Sequence, residues 1–283
     1  MSKAPRLHAP LSTGRRASVI ALLSALLVTL GLGAGSASAI TYGELDNDGH
    51  PAVVLVLMEV DGAPASRCSG TLISPTVVLT AGHCTGEEGE FSGMRVFAEP
   101  DVQNDPTYPF GGGPNTVEAT AWHTYPGYTS AAFYLNDVGV IELAQPIDLP
   151  AGASYGTLPA PDQLDSLKPR ASTTFTAVGY GLQRVNNNPN NLQLESTRVR
   201  MVAHPHLVQI NTGFTGQQSL LLSNNGSTGG TCFGDSGGPN FVGDSMVIAG
   251  VTSFGLNGSC GGTGGVFRVD RPAVLDFINQ YLS

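Results

Sequence analysis

The feature that most constrains the fold is a series of short apolar runs, separated by residues that break regular structure. Each of the clearest runs is four to six residues long, and most are rich in Val, Ile and Thr. Most are therefore too short for an amphipathic helix and typical of strands. The clearest runs are Ala52–Leu57, Val77–Thr80, Val138–Leu143, Phe175–Tyr180, Ser219–Leu222, Met246–Val251 and Val266–Val269. This spacing predicts an all-β sandwich or barrel.

Two further segments have strand character. Thr197–Val202 alternates polar and apolar residues, as a half-exposed strand does. Gly243-Asp244 separates two apolar segments and predicts a hairpin turn.

One helix is predicted, at the C-terminal end. Asp270 is a candidate cap and Pro272 suits the first turn. The apolar face of this helix consists of Val274, Phe277, Ile278 and Leu282.

Residues 1–39 have the pattern of a secretory signal peptide. Four basic residues precede the apolar segment Val19–Leu32, and Ala37-Ser38-Ala39 is the small-residue pattern of a cleavage site. A membrane anchor is the alternative, but the apolar segment is short for a span. The pair Arg15-Arg16 raises a twin-arginine export route, although the flanking residues fit that route poorly.

The net charge of the remaining 244 residues limits the kinds of molecule that the protein can bind. All 22 acidic residues but only 9 of the 13 basic ones follow Ala39, so this part carries a formal net charge of −13. Such a surface argues against nucleic acid or an anionic membrane as a partner. We expect a secreted, extracellular monomer.

The four cysteines are Cys68, Cys84, Cys232 and Cys260. In an exported chain an even number of cysteines predicts disulfides, and four cysteines allow three connectivities. Zinc ligation is the other interpretation, but the sequence has no C-x-x-C pair to favour it.

The segment TCFGDSGGP, Thr231–Pro239, carries the strongest chemical signal. It sets Ser236 between an acid and two glycines. A serine becomes a nucleophile only with a base to take its proton and donors to hold the oxyanion that forms. Glycine lets the backbone bend so that the N–H groups of Gly234 and Ser236 converge on one point. Taken alone, the segment also fits an ordinary glycine-rich turn.

Two other segments offer the missing partners. His83 follows an apolar strand and precedes a cysteine, in Thr80-Ala81-Gly82-His83-Cys84. Asp137 opens a buried strand, where an unpaired carboxylate is costly and a histidine Nδ1–H is a suitable partner. Each of these residues, alone, also has a purely structural interpretation.

Taken together, three blocks resemble the chymotrypsin-like (trypsin family) serine proteases. The blocks are GTLISPTVVLTAGHC (Gly70–Cys84), NDVGVIEL (Asn136–Leu143) and CFGDSGGP (Cys232–Pro239), in the family's order of His, Asp and Ser. The resemblance extends from Ile40 to the C-terminal helix. We expect a bacterial member of the family.

The resemblance implies two antiparallel six-stranded β-barrels packed together, with a C-terminal α-helix. The expected ranges are 40–150 for the first barrel, 151–268 for the second and 269–283 for the helix. The implied disulfides are Cys68–Cys84 and Cys232–Cys260.

The implied function is a serine endopeptidase that cleaves peptide bonds through an acyl-enzyme. His83, Asp137 and Ser236 form the catalytic triad, and the N–H groups of Gly234 and Ser236 form the oxyanion hole. No cofactor and no metal are expected, and the partners are protein or peptide substrates and protein inhibitors. The alternatives are a catalytically silent binding module on the same fold and an esterase that uses the same site.

By the same resemblance, six residues line the substrate pocket: Gly230, Thr231, Ser253, Phe254, Gly255 and Gly265. Gly230 stands at the pocket base, where trypsin-like members carry an aspartate. A neutral pocket for a large apolar or aromatic side chain is therefore expected.

The resemblance also gives a role to the first residue after the signal peptide. In the family, the free α-amino group of an isoleucine pairs with the acid before the nucleophile, which makes Ile40 and Asp235 the expected activation pair. We expect signal cleavage after Ala39 to produce this terminus directly. Cleavage after Ala37 is the alternative.

Overall fold

The computed structural model describes residues 40–132, 134–188 and 191–282, and among these the side chains of 186–188 and 191–194 are not described. The predicted signal peptide, residues 1–39, lies outside the described residues. The strands, in chain order, are β1 Glu44–Leu45, β2 Val53–Val60, β3 Ala63–Ser74, β4 Val77–Thr80, β5 Gly93–Phe97, β6 Thr116–Thr124, β7 Gly139–Leu143, β8 Arg170–Gly179, β9 Arg184–Asn188, β10 Asn191–Glu195, β11 Met201–Ala203, β12 His206–Ile210, β13 Ser219–Asn224, β14 Pro239–Val242, β15 Ile248–Gly255 and β16 Gly262–Arg268.

Six antiparallel strands close the first barrel, in the order β2-β3-β4-β7-β6-β5. Strand β2 is buried from Val53 to Met58 with no polar residue in between, because both of its faces are covered. The apolar run predicted at Val77–Thr80 is strand β4, and it pairs with β7 so that Thr80 lies opposite Gly139.

The second barrel also has six strands, in the order β8-β12-β13-β16-β15-β14. It closes because β14 pairs again with β8, where Asn240 lies opposite Ala177. Strands β14 and β15 form the hairpin predicted at Gly243-Asp244, and the positive φ of 54° at Gly243 is one that glycine adopts without strain. The prediction of two six-stranded barrels is confirmed.

The beginning of the described chain belongs to the sheet of the second barrel. Strand β1 pairs with β11, which in turn pairs with β8. The expected first-barrel range 40–150 therefore includes a strand that lies beside the other barrel. Within Thr197–Val202, which was predicted as one strand, only the end from Met201 is strand β11, continuing to Ala203.

The two barrels share one apolar core cluster. Val178, Tyr180 and Phe241 of the second half pack in the same cluster as strand β2 of the first barrel. The Tyr180 hydroxyl lies between the carbonyls of Val53 and Glu99 and donates to them at 3.2 and 2.8 Å. The contact between the barrels is therefore a continuous core.

The predicted C-terminal helix is present but shorter than expected, over Pro272–Asn279. Val274, Phe277 and Ile278 are buried as predicted, whereas Leu282 lies beyond the helix end and is 36% exposed. The N-cap residue of the helix is Arg271 and no side chain caps it. The expected cap, Asp270, is instead fully buried, and its carboxylate accepts hydrogen bonds from Arg268 and from the Leu164 N–H. A buried arginine without a carboxylate costs more free energy than a helix end without a side-chain cap, which explains why Asp270 pairs with Arg268.

Among the residues that the structure describes, no helix is both long enough and apolar enough to cross a membrane.

Candidate active site

His83 lies in a one-turn helix, Gly82–Thr85, directly after strand β4. The disulfide Cys68–Cys84, with a Cα–Cα distance of 6.2 Å, ties this turn to strand β3. At Gly82 an added Cβ would lie 3.1 Å from both the Tyr128 ring and the Val138 nitrogen. The glycine therefore fits a tightly packed turn next to the histidine.

Asp137 is fully buried two residues before strand β7 and faces His83. The Nδ1 atom of His83 lies 3.0 Å from each carboxylate oxygen, and the His83 backbone N–H donates to Oδ1 at 2.8 Å. Ser253 Oγ donates to Oδ2 at 2.5 Å. Since the carboxylate can only accept, Nδ1 carries the proton, and the histidine side chain is held in one tautomer and one orientation.

Ser236 lies in a tight turn that is fixed against the first barrel. Its carbonyl accepts a hydrogen bond from the Ser69 N–H at 2.8 Å, and the Gly234 carbonyl accepts one from Ser69 Oγ at 3.0 Å. Gly234 and Gly237 have φ values of 94° and 77°, in the region that favours glycine. At Gly237 a Cβ would lie 2.0 Å from Thr80 Oγ1, so no other residue fits there.

The backbone N–H groups of Gly234 and Ser236 stand apart from this network of hydrogen bonds. Within the part of the chain that the structure describes, neither N–H has an acceptor. Two adjacent donors of this kind, beside a partly exposed serine, are suited to an oxygen that develops negative charge.

His83 and Ser236 line the same cavity, which has a volume of about 530 Å³. Of the six residues expected in the substrate pocket, Thr231, Ser253, Phe254 and Gly255 also line it. A larger groove of about 960 Å³ lies between strand β6 and the C-terminal helix, and neither His83 nor Ser236 lines it.

The other two expected pocket residues lie behind side chains. Gly230 is covered by Asn224, whose Cγ would be 2.3 Å from an added Cβ. Gly265 faces the Phe254 ring, whereas at Gly264 a Cβ would lie 3.0 Å from Thr231 Oγ1. Neither Gly264 nor Gly265 is among the described residues that line the cavity, so the place of Gly265 in the substrate pocket stays a prediction.

No Asp, Glu, Lys or Arg occurs among the described residues that line this cavity. Asn224, which is 1% exposed, is one of the polar residues that line it. Its Nδ2 donates to the Thr231 carbonyl at 2.7 Å, and its Oδ1 accepts from Thr41 Oγ1 at 2.8 Å. The disulfide Cys232–Cys260 closes one side.

Asp235 is fully buried directly before Ser236. Its two carboxylate oxygens accept hydrogen bonds from the N–H groups of Gly181 and Cys232, both at 2.8 Å. Burial is the main cause that raises the pKa of Asp235 to about 7, and the two hydrogen bonds and the charge of Arg67 act in the opposite direction. The carboxyl group is thus held in place without a full counter-charge.

Ile40, the other member of the expected activation pair, is also fully buried and has a φ of 53°. It packs with Met201 and Ala203, and the next residue, Thr41, forms a bridge with Gly230. The described hydrogen bonds of Asp235 do not include Ile40, so the pair itself stays a prediction.

Two features of the site were missed by the sequence analysis. Ser253 was expected only in the pocket, and its hydroxyl bond to Asp137 comes from tertiary structure alone. Asn224 lies two residues beyond the predicted strand Ser219–Leu222, and no role was predicted for it. In the described part of the chain, one group of three potential metal ligands lies close together, Cys68, His83 and Cys84, and its two cysteines form a disulfide.

Comparisons with known proteins agree with this arrangement. The Trypsin family model matches residues 46–278. The fibrinolytic enzyme isozyme C of Lumbricus rubellus is 28% identical over 227 residues, which cover 78% of this chain and 88% of that protein. Brachyurin of Leptuca pugilator is 32% identical over 199 residues, with 68% and 77% covered. Both organisms are animals, so these relatives do not support the expectation of a bacterial protein.

A solved structure of HL collagenase has a TM-score of 0.66 at 21% identity, and the match covers 86% of this chain and 98% of that one. This likeness concerns the fold. The family model and the two relatives concern the sequence, and the model covers most of the chain. The chain belongs to the trypsin family and is a serine-type endopeptidase.

Proposed function

We propose that His83, Asp137 and Ser236 are the catalytic triad of a secreted endopeptidase. Ser236 Oγ attacks the carbonyl carbon of the scissile bond, and His83 takes its proton at Nε2 and passes it to the leaving amine. Water then hydrolyses the acyl-enzyme, with His83 again as the base. Asp137 keeps His83 oriented and stabilises its protonated form.

The observation that carries this proposal is the buried carboxylate on Nδ1 of His83. Asp137 is fully buried and holds Nδ1 at 3.0 Å, so Nε2 is the nitrogen that exchanges a proton with substrate. Ser236 lines the same cavity as His83. The N–H groups of Gly234 and Ser236 are then the donors to the oxyanion, each worth a few kcal/mol in comparable enzymes.

The test is labelling with an organophosphorus reagent that reacts with activated serines. The wild type is expected to bind one equivalent and Ser236→Ala none. Ser245→Ala removes a hydroxyl that donates to the Val242 carbonyl in the Gly243 turn, and this variant should label like the wild type. Absence of labelling in the wild type favours the silent binding module instead.

An esterase is the second alternative, because an acyl-enzyme also forms from esters. Digestion of casein separates the two functions. We expect cleavage of casein as well as of a small ester, and turnover of the ester alone would contradict the endopeptidase.

We further propose that the enzyme cleaves after large apolar or aromatic residues. The support is a cavity lined by Thr231, Phe254 and Gly255 and without a formal charge on the described residues around it. An Arg or Lys side chain would lose its hydration there without gaining a carboxylate. Cleavage of a peptide library only after Arg or Lys would contradict this specificity.

The proposed location is outside the cell, after removal of residues 1–39. We propose that the α-amino group of Ile40, once released, pairs with the Asp235 carboxylate. The fully buried position of both residues supports this, as does the raised pKa of Asp235, about 7, which marks a carboxyl group that lacks a counter-charge. N-terminal sequencing of the secreted enzyme tests it, and an active form that begins at Ser38 would contradict the pairing.

A further inference from the structure

Arg67 is a half-buried arginine in strand β3, directly before Cys68. One end of its guanidinium, Nη2, donates to Ser196 Oγ. Its Nε is buried and has no acceptor among the described residues. A guanidinium in such a position normally finds an anion, because its charge is only partly hydrated.

Four other arginines of the chain each lie beside a carboxylate. A carboxylate lies within 4.0 Å of each of Arg95, Arg200, Arg268 and Arg271. Among the described residues, no carboxylate lies within 4.0 Å of Arg67. Its charge acts on Asp235 through space, but the oxygens of that carboxylate are already held by Gly181 and Cys232.

Arg67 lies directly against the turn that carries the nucleophile. Its Nε would be 3.7 Å from a Cβ added at Gly234. Two residues further along, Ser69 bonds to the carbonyls of both Gly234 and Ser236. The Arg67 guanidinium therefore lies beside Gly234, in the turn that carries Ser236.

The active site has one side formed by the second half of the chain and one formed by the first barrel, and these indicate where Arg67 lies relative to a bound substrate. The side chain before the scissile bond enters the cavity beside Thr231 and Phe254, which belong to the second half of the chain. The leaving group extends the other way, over the first barrel, because His83, its proton donor, belongs to that barrel. Cys68 and Arg67 lie there, tied to His83 through Cys84.

We propose that Arg67 binds a carboxylate on the leaving-group side of the substrate, from an Asp or Glu in the first two residues after the scissile bond. This rests on the proposed function and adds a second determinant of its specificity. An ion pair with a half-buried guanidinium is stronger than one between two exposed groups. The enzyme would then prefer peptides with an apolar residue before the bond and an acidic one after it.

The experiment compares kcat/KM for matched quenched peptides that carry Glu or Gln at the first or second position after the bond. All have the same aromatic residue before the bond and an amidated C-terminus. A parallel pair with a free C-terminus separates an acidic side chain from a terminal carboxylate. We expect a Glu-to-Gln ratio of roughly five to ten at one of the positions in low salt, falling as salt is added.

Variants assign this ratio to Arg67. Arg67→Gln should bring it close to one and Arg67→Lys should keep part of it. Because the ratio compares two substrates on one enzyme, a general loss of activity cancels. Arg198→Gln is the matched control. Arg198 is also half-buried, and among the described residues its buried Nε has no hydrogen-bond partner, but its guanidinium lies over the Tyr108 ring. This variant should keep the wild-type ratio.

Three results would overturn the proposal. A wild-type ratio near one at both positions would do so, and so would a ratio that survives in Arg67→Gln. A preference seen only for the free C-terminus would assign the carboxylate to the peptide end instead of a side chain.

A substrate with a dye as leaving group has no residue after the bond, so its turnover shows whether the endopeptidase chemistry itself works. If the wild type turns over neither the dye substrate nor a peptide, the proposed function fails together with this one.

Discussion

Ser253 Oγ donates a 2.5 Å hydrogen bond to Asp137 Oδ2 across the boundary between the barrels. Asp137 precedes strand β7 of the first barrel by two residues, and Ser253 lies in strand β15 of the second. Both residues are buried, so water does not compete for this bond. The orientation of His83, which depends on Asp137, therefore depends on how the two barrels pack.

Ser253→Ala should lower kcat/KM. The variant keeps the backbone and removes one donor to a buried carboxylate, an interaction worth about 1.5–3 kcal/mol when one partner is charged. We expect a loss of roughly tenfold or more, mainly in kcat, because the bond orients His83 and does not contact substrate. Steady-state kinetics on a peptide amide measure it.

The control for this variant is Ser223→Ala. Ser223 is also buried in the second barrel, but its hydroxyl contacts Thr228 and the His206 N–H, away from Asp137. It should keep kcat within about twofold. Equal losses in both variants would mean that Ser253 acts through general stability alone.

The pKa of Asp235, raised to about 7 by burial, predicts how stability depends on pH before the Ile40 amine is released. The folded chain binds this proton more tightly than the unfolded chain, whose carboxyl has its ordinary value of 3.8. The contribution to stability is thus complete below pH 3.8 and is lost as the pH rises through 7. We expect the free energy of unfolding to fall by a few kcal/mol over this range.

Urea unfolding at several pH values checks this, in a Ser236→Ala background that prevents self-digestion. A chain that begins at Ser38 should show the fall, and Asp235→Asn should remove it. A chain that begins at Ile40 should show a smaller fall, because the charged amine favours the charged carboxylate. If stability depends on pH in the same way in the chain that begins at Ser38 and in the chain that begins at Ile40, the proposed activation pair is contradicted.

Much of the fold could be predicted because its signals are local. The apolar runs became strands, and Gly243-Asp244 became the turn of a hairpin. His83, Asp137 and Ser236 were recognisable because each lies in a short block of residues that has a chemical reason to occur together. The structure brings the three blocks to one place.

The features that could not be predicted depend on tertiary contacts, which no short segment of the sequence reveals. The bond from Ser253 to Asp137 joins residues 116 positions apart. Asp270 has the pattern of a cap, yet the buried Arg268 claims its carboxylate. Gly230 is covered by the Asn224 side chain, a contact that neither short segment indicates.

Removing either disulfide should destabilise the fold by about 3 kcal/mol in the chain-entropy model. Cys232–Cys260 closes a loop of 28 residues and Cys68–Cys84 one of 16, so the first should cost slightly more. We expect both double Cys→Ser variants, made with Ser236→Ala, to unfold at lower urea concentration than the parent. An unchanged midpoint would mean that the surrounding core holds these loops without the crosslink.

Arg200→Met should be the most destabilising substitution in this series, because it removes the arginine from a buried carboxylate that then keeps, among the described residues, only its hydrogen bonds to His50. Arg200 and Asp46 are both fully buried, and Nε donates to Oδ2 at 2.8 Å. Losing one partner of such a pair typically costs about 3–5 kcal/mol. Asp46→Asn together with Arg200→Met should lower the free energy of unfolding less than Arg200→Met alone, because the double variant keeps neither charge of this pair buried. Asp48→Asn should lower it by less than about 1 kcal/mol, because Asp48 is 68% exposed. Urea unfolding of these variants and of Asp46→Asn alone measures the differences. Purely additive losses for Asp46→Asn and Arg200→Met would show that the two residues do not stabilise the fold as a pair.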